Sequence, residues 1–333
     1  MWTRTAPVTI GAMSEVELTF CVVATAKREL LERCLDAIAS ERAALPFASE
    51  VLVLDNCSRD GTAAIARAHR AVDETIELDR RTGKAANDSL LLARARGSFG
   101  LLLNEDSELQ EGATLALWRA LSEHPRAALA GAQLLSPDGH PQACAWRFPS
   151  PLSALAGALG LGRALVVQSR SEGVREVDWC QSSALLVRRE AAARVGYLDP
   201  DFFVYSDEVD FARRLRDAGW RSLFVPGALA VHHEQLSSDL LAARPRIVEL
   251  ARNRDLYMRK HHSPATARAV RWLTAVAYAE RALAALVLPD RDARRYWAHV
   301  RATLRPQRGE GLREAAERLN ASRAAEAEAR APS

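Results

Sequence analysis

Hydrophobic and polar positions alternate in blocks through the first 125 residues. Leu18–Ala24 is an apolar, β-branched run that predicts a buried strand, and Leu30, Leu31, Cys34, Leu35 and Ile38 then recur at helical spacing. Val51–Leu54 predicts a second buried strand, ending in the turn-forming run Asp55-Asn56-Cys57-Ser58-Arg59-Asp60-Gly61-Thr62. A helix containing Ala63–Ala68 follows, with Ser58 or Asp60 as its cap, and then a short strand at Thr75–Leu78. Lys84–Arg96 reads as a helix, Phe99–Leu103 as a fourth strand and Ala113–Ser122 as another helix. This repeated alternation predicts an α/β fold with a parallel, doubly wound sheet and right-handed crossovers. Such sheets bind ligands across the carboxyl ends of their strands, and polar clusters follow the first, second and fourth.

The fourth strand ends most abruptly: Leu101-Leu102-Leu103 gives way to Asn104-Glu105-Asp106. Two carboxylates in a half-dry crevice resist joint ionisation. A divalent cation that prefers hard oxygen ligands, Mg2+ or Mn2+, is the usual compensation. The alternative is a strand that runs into a solvated acidic turn.

Beyond residue 125 the rhythm loosens. Ala127–Leu135 reads as a strand, Ser136-Pro137-Asp138-Gly139 as a turn, 151–166 as an Ala/Leu/Gly-rich stretch and Ser183–Val187 as a buried strand. A second acidic cluster, Gly196–Asp210, runs into a helix over Phe211–Ala218. A strand at Arg221–Pro226 follows, and Leu229-Ala230-Val231 leads to His232-His233. From about Leu240 the pattern is wholly helical. One helix ends in the basic run closing at His261-His262, as the macrodipole favours, and a second covers Ala265–Leu288. From Gly309 an Ala/Glu/Arg-rich tail is either a solvated helix or disordered. The expected organisation is a leader at 1–16, an α/β unit at 17–240, a basic helical region at 241–308 and a charged tail at 309–333.

Composition changes this picture in two places. Hydrophobic content of 48% and charged content of 26% are ordinary for a globular chain, and a net charge of +3 gives no reason to expect nucleic acid as partner. The charge is uneven, however: residues 244–308 hold 15 Lys/Arg against 5 Asp/Glu, which suits an anionic ligand or a membrane surface. The five cysteines (21, 34, 57, 144 and 180) have no metal-binding spacing, and an odd, unpatterned set predicts a reducing compartment. With no apolar segment in Met1–Ser14 and no apolar run of spanning length, the expected location is cytoplasmic; the helical end either only covers the α/β unit or rests on the inner face of a membrane.

The ordered set Val22-Val23-Ala24-Thr25, Asp55–Thr62, Ala95-Arg96-Gly97 with Leu101–Asp106, Gly196–Asp210 and Pro226 to His232-His233 resembles the family 2 inverting glycosyltransferases, particularly the rhamnosyltransferase-like branch. The resemblance covers roughly residues 18 to 262. It implies the GT-A fold, a mainly parallel doubly wound sheet flanked by helices, here with an α-helical C-terminal extension. It also implies a nucleotide-sugar donor (a dTDP- or UDP-sugar), Mg2+ or Mn2+, and a hydroxyl acceptor on a glycan or lipid carrier. Thr25 resembles the base or ribose contact, and Asp55 the carboxylate that holds the pyrimidine ring. Asn104-Glu105-Asp106 resembles the family's Asp-x-Asp element, most often Asn-Pro-Asp in this branch. Asp106 is then a metal ligand and Asn104 a ribose or metal-water contact, while Glu105 replaces a proline. Glu208 falls at the family's catalytic base, with Asp207 the alternative because Asp-Glu here inverts the usual Glu-Asp. His232 resembles the late metal-ligand histidine. Asn87-Asp88-Ser89 keeps part of a polar loop, Leu91 stands where glycine is common, and Lys84 is a candidate phosphate contact.

Glu208 as general base would be worth about 10²–10⁴ in rate, with Phe202, Phe203 and Tyr205 supplying partial burial. Two other readings stay open at this point. A nucleotidyltransferase also uses acidic metal sites on an α/β sheet, although Ala24–Arg28 lacks the glycine-rich loop such enzymes carry after the first strand. A non-catalytic glycan-binding module with the GT-A fold is the other.

Overall fold

The structure, a computed structural model, describes residues 16–233, 243–287 and 292–330. The leader expected at 1–16 and the boundary expected at 240 therefore fall almost wholly outside the described residues. The first half runs β1 (Leu18–Ala24), α1 (Arg28–Ala44), β2 (Ser49–Asp55), α2 (Thr62–Ala68), β3 (Glu74–Glu77), α3 (Lys84–Arg94), β4 (Phe99–Asn104), β5 (Ser107–Leu109), α4 (Ala113–Glu123) and β6 (Ala127–Leu135). Then come β7 (Ala145–Trp146), α5 (Pro151–Ala158), α6 (Gly162–Leu165), β8 (Arg175–Val177), β9 (Trp179–Cys180), β10 (Ala184–Arg188), α7 (Arg189–Arg194), α8 (Asp207–Asp217) and β11 (Arg221–His232). The chain closes with α9 (Ala243–His261), α10 (Pro264–Ala284), α11 (Ala293–Leu304) and α12 (Leu312–Arg330).

The main sheet has the order β3-β2-β1-β4-β10-β6-β11-β5, with β8 paired to β11. Six of these nine strands run in one direction, and β5, β8 and β10 run against them. The result is the expected α/β sheet flanked by helices, mixed but mostly parallel. β1, β2 and β4 are almost completely buried, which is why they read as continuous apolar runs rather than alternating ones.

The antiparallel strands are what the alternating pattern does not foresee. β10 enters between β4 and β6 after a long excursion instead of a crossover helix. β11 is a single strand where the sequence reads two pieces. Its register against β6 slips between Val225 and Leu229, around Pro226-Gly227, because proline cannot donate to a ladder. Among the described residues no helix is long and apolar enough to cross a membrane.

Buried carboxylates fasten the C-terminal helices. Asp210 on α8 forms ion pairs with Arg214 (2.7 Å) and with Lys260 (2.9 Å) on α9, and its Oδ1 lies 2.7 Å from His261 Nε2 on the same helix α9. Asp255 joins α9 to α10 through Arg271, and Arg252 joins α9 to α12 through Glu314 at 2.7 Å. Residues from 312 thus form a docked helix. Asn320 of α12 accepts from the Arg81 amide (2.7 Å) and donates to the Arg81 carbonyl (2.9 Å), so α12 grips the loop after β3.

One tight contact in this frame carries a prediction. A Cβ at Gly83 would lie 2.6 Å from the Phe203 carbonyl oxygen and 2.9 Å from its Cα. The Lys84 amide donates to that same carbonyl at 2.7 Å, so neither backbone can yield freely. Gly83→Ala is expected to destabilise the chain by about 1–3 kcal/mol, read as a lower urea midpoint at unchanged slope.

Candidate functional site

Three strand ends and two helix N-termini converge on a single hollow. A cavity of about 680 Å³ is lined by Thr25 after β1, Asn104 to Asp106 after β4, His232 at the end of β11, and Asp207 and Glu208 at the start of α8. Lys84, at the start of α3, lines it too. Seven of the eight residues singled out from the sequence therefore share one cavity. The eighth, Asp55, opens instead into an adjoining hollow of about 740 Å³ between the loop after β2 and α12.

Sheet register explains the closest pair. β5 pairs antiparallel with the end of β11, placing His232 opposite Ser107. That brings His232 Nε2 to 3.4 Å from Asp106 Oδ1, with His232 only 3% exposed. The imidazole Nε2 also lies 3.3 Å from Ser183 Oγ, and its Nδ1 is buried without a partner. The antiparallel entry of β10 sets Ser183 beside Asn104, whose amide nitrogen donates to the Ser183 hydroxyl at 3.0 Å.

Glu105 acquires a definite place. Its carboxylate accepts from the Thr25 amide at 2.7 Å, pinning the end of β1 to the end of β4. Burial pushes this carboxyl up to about 8, against the pull of the Thr25 amide and with help from the neighbouring Asp106 charge. Asp55 is likewise built in: one oxygen accepts from the Ser58 amide at 3.0 Å, and the other is buried without a partner. Asn56 locks that loop to the next by accepting from the Thr82 amide (2.9 Å) and donating to its carbonyl (3.0 Å).

The second acidic cluster is the first turn of α8, which begins at Asp207 rather than at Phe211. Acids there do favour the helix dipole, yet dipole and cavity are not alternatives, because the same turn faces the hollow. Asp207 is 1% exposed, and burial followed by the adjacent Glu208 carboxylate holds its carboxyl well above the usual range. Glu208 is half-buried and lines the cavity. Lys84 donates to Asp88 at 2.6 Å; burial would lower its pKa, but Asp88 and Asp207 outweigh burial and raise it. The backbone around the cavity is strained. Among the described residues, Ala26, Cys57, Tyr205 and Ser206 are four of the five non-glycine residues with positive φ, and each lies in a loop that borders one of the two hollows or in the turn entering α8.

Several lining residues escape the sequence reading. Trp146 and Trp179 stack at 4.5 Å between ring centroids on one wall. No local signal marks them, because β7 and β9 are two residues long and 33 residues apart. Arg81, in the loop after β3, lines the cavity, and Arg323 of α12 lines the Asp55 hollow. Burial and then Arg323 lower the Arg81 pKa, and the Nε of each guanidinium is buried without a partner. Leu312, Ala315, Ala316 and Leu319 of α12 complete the rim.

Whether these residues suit a divalent cation can be judged from the donor set. Among the described residues no group of three or more His, Cys, Asp or Glu side chains forms a metal cage. Asp106 and His232 supply one carboxylate and one imidazole, side by side and opening on the cavity. Mg2+ is commonly held by one or two carboxylates plus waters and substrate phosphates, so this pair fits a cation that arrives with a diphosphate.

Comparison with known proteins gives the family and the fold. The model of the family described as glycosyl transferase family 2 matches residues 19–142. The chain is 32% identical over 219 residues to an N-acetylglucosaminyl-diphospho-decaprenol L-rhamnosyltransferase of Mycobacterium tuberculosis, a match covering 59% of this chain and 71% of that one. It is 33% identical over 75 residues to the rhamnosyltransferase WbbL of Escherichia coli, covering 22% and 28%. The fold resembles the mannosyltransferase PcManGT of Pyrobaculum calidifontis, solved with GDP-Man and Mn2+, with a TM-score of 0.55, 17% identity and 90% and 89% coverage. It also resembles S. aureus TarS 1–349, with a TM-score of 0.53, 12% identity and 87% and 81% coverage.

Proposed function

The chain belongs to glycosyl transferase family 2 and is a glycosyltransferase, and from that footing we propose that it is a metal-dependent, inverting enzyme that moves a sugar from a nucleotide donor to a hydroxyl of a glycan or lipid-linked acceptor. Rhamnose is the sugar best supported, since the relatives of 32% and 33% identity are rhamnosyltransferases, and the family resemblance makes its carrier dTDP or UDP. The observation that carries the reading is that one cavity holds both the Asp106–His232 pair and the Asp207–Glu208 pair. A leaving diphosphate and an attacking hydroxyl each need one of these. We place the enzyme at the inner face of a membrane, in peripheral contact through the basic helices at 244–308.

In this reading the free oxygen of Asp55 meets the nucleobase, Thr25 and Asn104 border the ribose, and Asp106 and His232 hold the cation. A cation bound there supplies Lewis-acid stabilisation of the departing diphosphate. Arg81 and Lys84 add fixed positive charge beside the same oxygens. Asp207 is almost fully buried, which leaves the more accessible Glu208 as the carboxylate that takes the acceptor proton as the new glycosidic bond forms. The proton moves from the acceptor oxygen to Glu208, and the electron pair of the broken bond leaves with the diphosphate. No covalent intermediate is needed.

Thermal unfolding with UDP, dTDP and GDP, each with and without Mn2+, tests the donor site. A nucleotide at 100 times its Kd is expected to add about 2.7 kcal/mol of stability. A manganese-dependent rise with dTDP or UDP supports the reading. A cooperative transition that no nucleotide moves overturns it.

A further inference from the structure

The C-terminal helix α12 lies across both hollows of the site. Ala315 and Leu319 line the donor cavity, while Asn320 and Arg323 line the hollow that opens from Asp55. The lining positions run from Leu312 to Ala324, a length of about 18 Å at 1.5 Å per residue. One helix therefore covers the site from the nucleobase end to the cavity of the acid pairs.

Polar contacts, rather than apolar burial, hold this helix in place. Among the described residues Ala316 is its one buried apolar side chain. The first turn is pinned away from the site: Glu314 pairs with Arg252 at 2.7 Å, and Arg313 donates to the Asp201 carbonyl at 2.8 Å. Beyond that turn the contacts go to the two loops that build the hollows. Asn320 grips the Arg81 backbone, Arg323 Nη1 donates to the Cys57 carbonyl at 2.6 Å, and Glu326 pairs with Arg59 at 2.9 Å. A stretch held this way belongs to the part of a fold that opens first.

The groups beneath it give opening a purpose. Arg323 lies close enough to Arg81 to be, after burial, the main force lowering the Arg81 pKa, and neither arginine has an ion-pair partner among the described residues. The Nε of each is buried without a hydrogen-bond partner, and so is one oxygen of Asp55, itself 3% exposed. Donors and an acceptor left unpaired together cost free energy, which a ligand with complementary groups would return. Arg81 lines the donor cavity and Arg323 the Asp55 hollow, so the two cations mark the junction between them. In a nucleotide whose base lies towards Asp55, the phosphates fall at that junction. Guanidinium forks match phosphate oxygens, and two cations with no carboxylate between them suit an anion. Because both Nε atoms are closed off, a ligand reaches them only when α12 moves.

We propose that α12 is a lid on the donor site whose Arg323, beside Arg81, takes the diphosphate of the nucleotide: the part of the helix beyond Ala316 lifts to admit the donor and reseats on it. The inference rests on the nucleotide-donor reading. It adds a ligand contact, Arg323, and a positioning residue, Asn320, from a helix far outside residues 19–142, the stretch matched by the family model.

Binding of UDP with Mn2+ to the full chain, together with amide hydrogen exchange, tests the lid. Arg323→Ala is expected to weaken UDP roughly 10- to 100-fold but uridine, which lacks the phosphates, by less than about twofold. Arg323→Lys should restore part of the loss. Exchange over residues 317–326 should slow at least roughly tenfold when UDP saturates the parent, and should not slow in Arg323→Ala. Cys57 lines the Asp55 hollow, and the other four cysteines are buried, so its alkylation by N-ethylmaleimide reports opening without ligand. Asn320→Ala should speed that alkylation roughly 3- to 10-fold. Equal UDP affinity in the parent and in folded Arg323→Ala overturns the proposal, as does α12 exchange that UDP leaves unchanged. Equal losses for UDP and uridine would remove the phosphate contact, and tighter UDP binding in Arg323→Ala would make α12 a plug instead of a lid. If UDP does not bind the parent, inorganic diphosphate with Mn2+ takes its place. Protection of α12 by diphosphate that is lost in Arg323→Ala would then sink the donor reading alone, and no protection would sink both.

Discussion

Replacing Glu208 with glutamine is expected to lower kcat by about 10²–10⁴-fold while leaving nucleotide-induced stabilisation in place. Glutamine keeps the size and the polar contacts of the side chain but cannot take a proton. In the proposed reading the donor is held by residues elsewhere in the cavity, so the loss should fall on kcat more than on KM. The neighbouring carboxyl makes the test sharp. Asp207 is buried, and burial followed by the adjacent Glu208 carboxylate raises its pKa well above the usual range, whereas Glu208 is half-buried and opens on the cavity. Asp207→Asn removes that carboxylate at nearly constant size and is expected to keep most of the rate. Initial rates of nucleotide release with saturating acceptor separate the possibilities. Full activity in Glu208→Gln with loss in Asp207→Asn would move the base to Asp207. Full activity in both would remove the acid pair from the chemistry.

The ordering of the pair shows how far the sequence reaches. The Asp-Glu inversion at 207 and 208 leaves two candidates, since the residues differ by one methylene and share a turn. Packing separates them: Asp207 is 1% exposed, while Glu208 is half-buried and borders the cavity. The parallel half of the sheet was legible because strands buried on both faces are continuous apolar runs, and β1 and β6 match their predicted bounds residue for residue. The antiparallel insertions were not, because β5, β7, β8 and β9 are two or three residues long and take their direction from partners far along the chain. The same long-range pairing sets the site: His232 meets Asp106 through the β5–β11 register, and Trp146 meets Trp179 through β7 and β9. Glu105, an anomaly in the motif, gains its reason only when the Thr25 amide is seen 2.7 Å away. Composition could not show that the Ala/Glu/Arg-rich end docks. Asn320 and Arg323 do so through contacts to Arg81 and Cys57, more than 230 residues earlier.

Asp106→Asn is expected to have the second large effect, a fall in kcat/KM of at least about 10²–10³-fold together with loss of the manganese-dependent part of nucleotide stabilisation. A cation at a leaving diphosphate is worth several kcal/mol of transition-state stabilisation, and each 1.36 kcal/mol is about tenfold in rate. Asparagine keeps an oxygen at the site but not its charge, and the remaining imidazole of His232 cannot hold a hard cation alone. The substitution also lifts one of the forces on Glu105, whose carboxyl the Asp106 charge helps to keep high. Unfolding without nucleotide should therefore change little or improve slightly, which separates lost chemistry from lost fold. His232→Ala is expected to act in the same direction but less strongly. If the two side chains share one cation, the double variant should fall hardly below Asp106→Asn alone, as residues 3.4 Å apart in one unit are non-additive. Additive losses would mean that Asp106 and His232 act separately. An unchanged manganese response in Asp106→Asn would place the cation elsewhere and leave this pair a structural contact between the ends of β4 and β11.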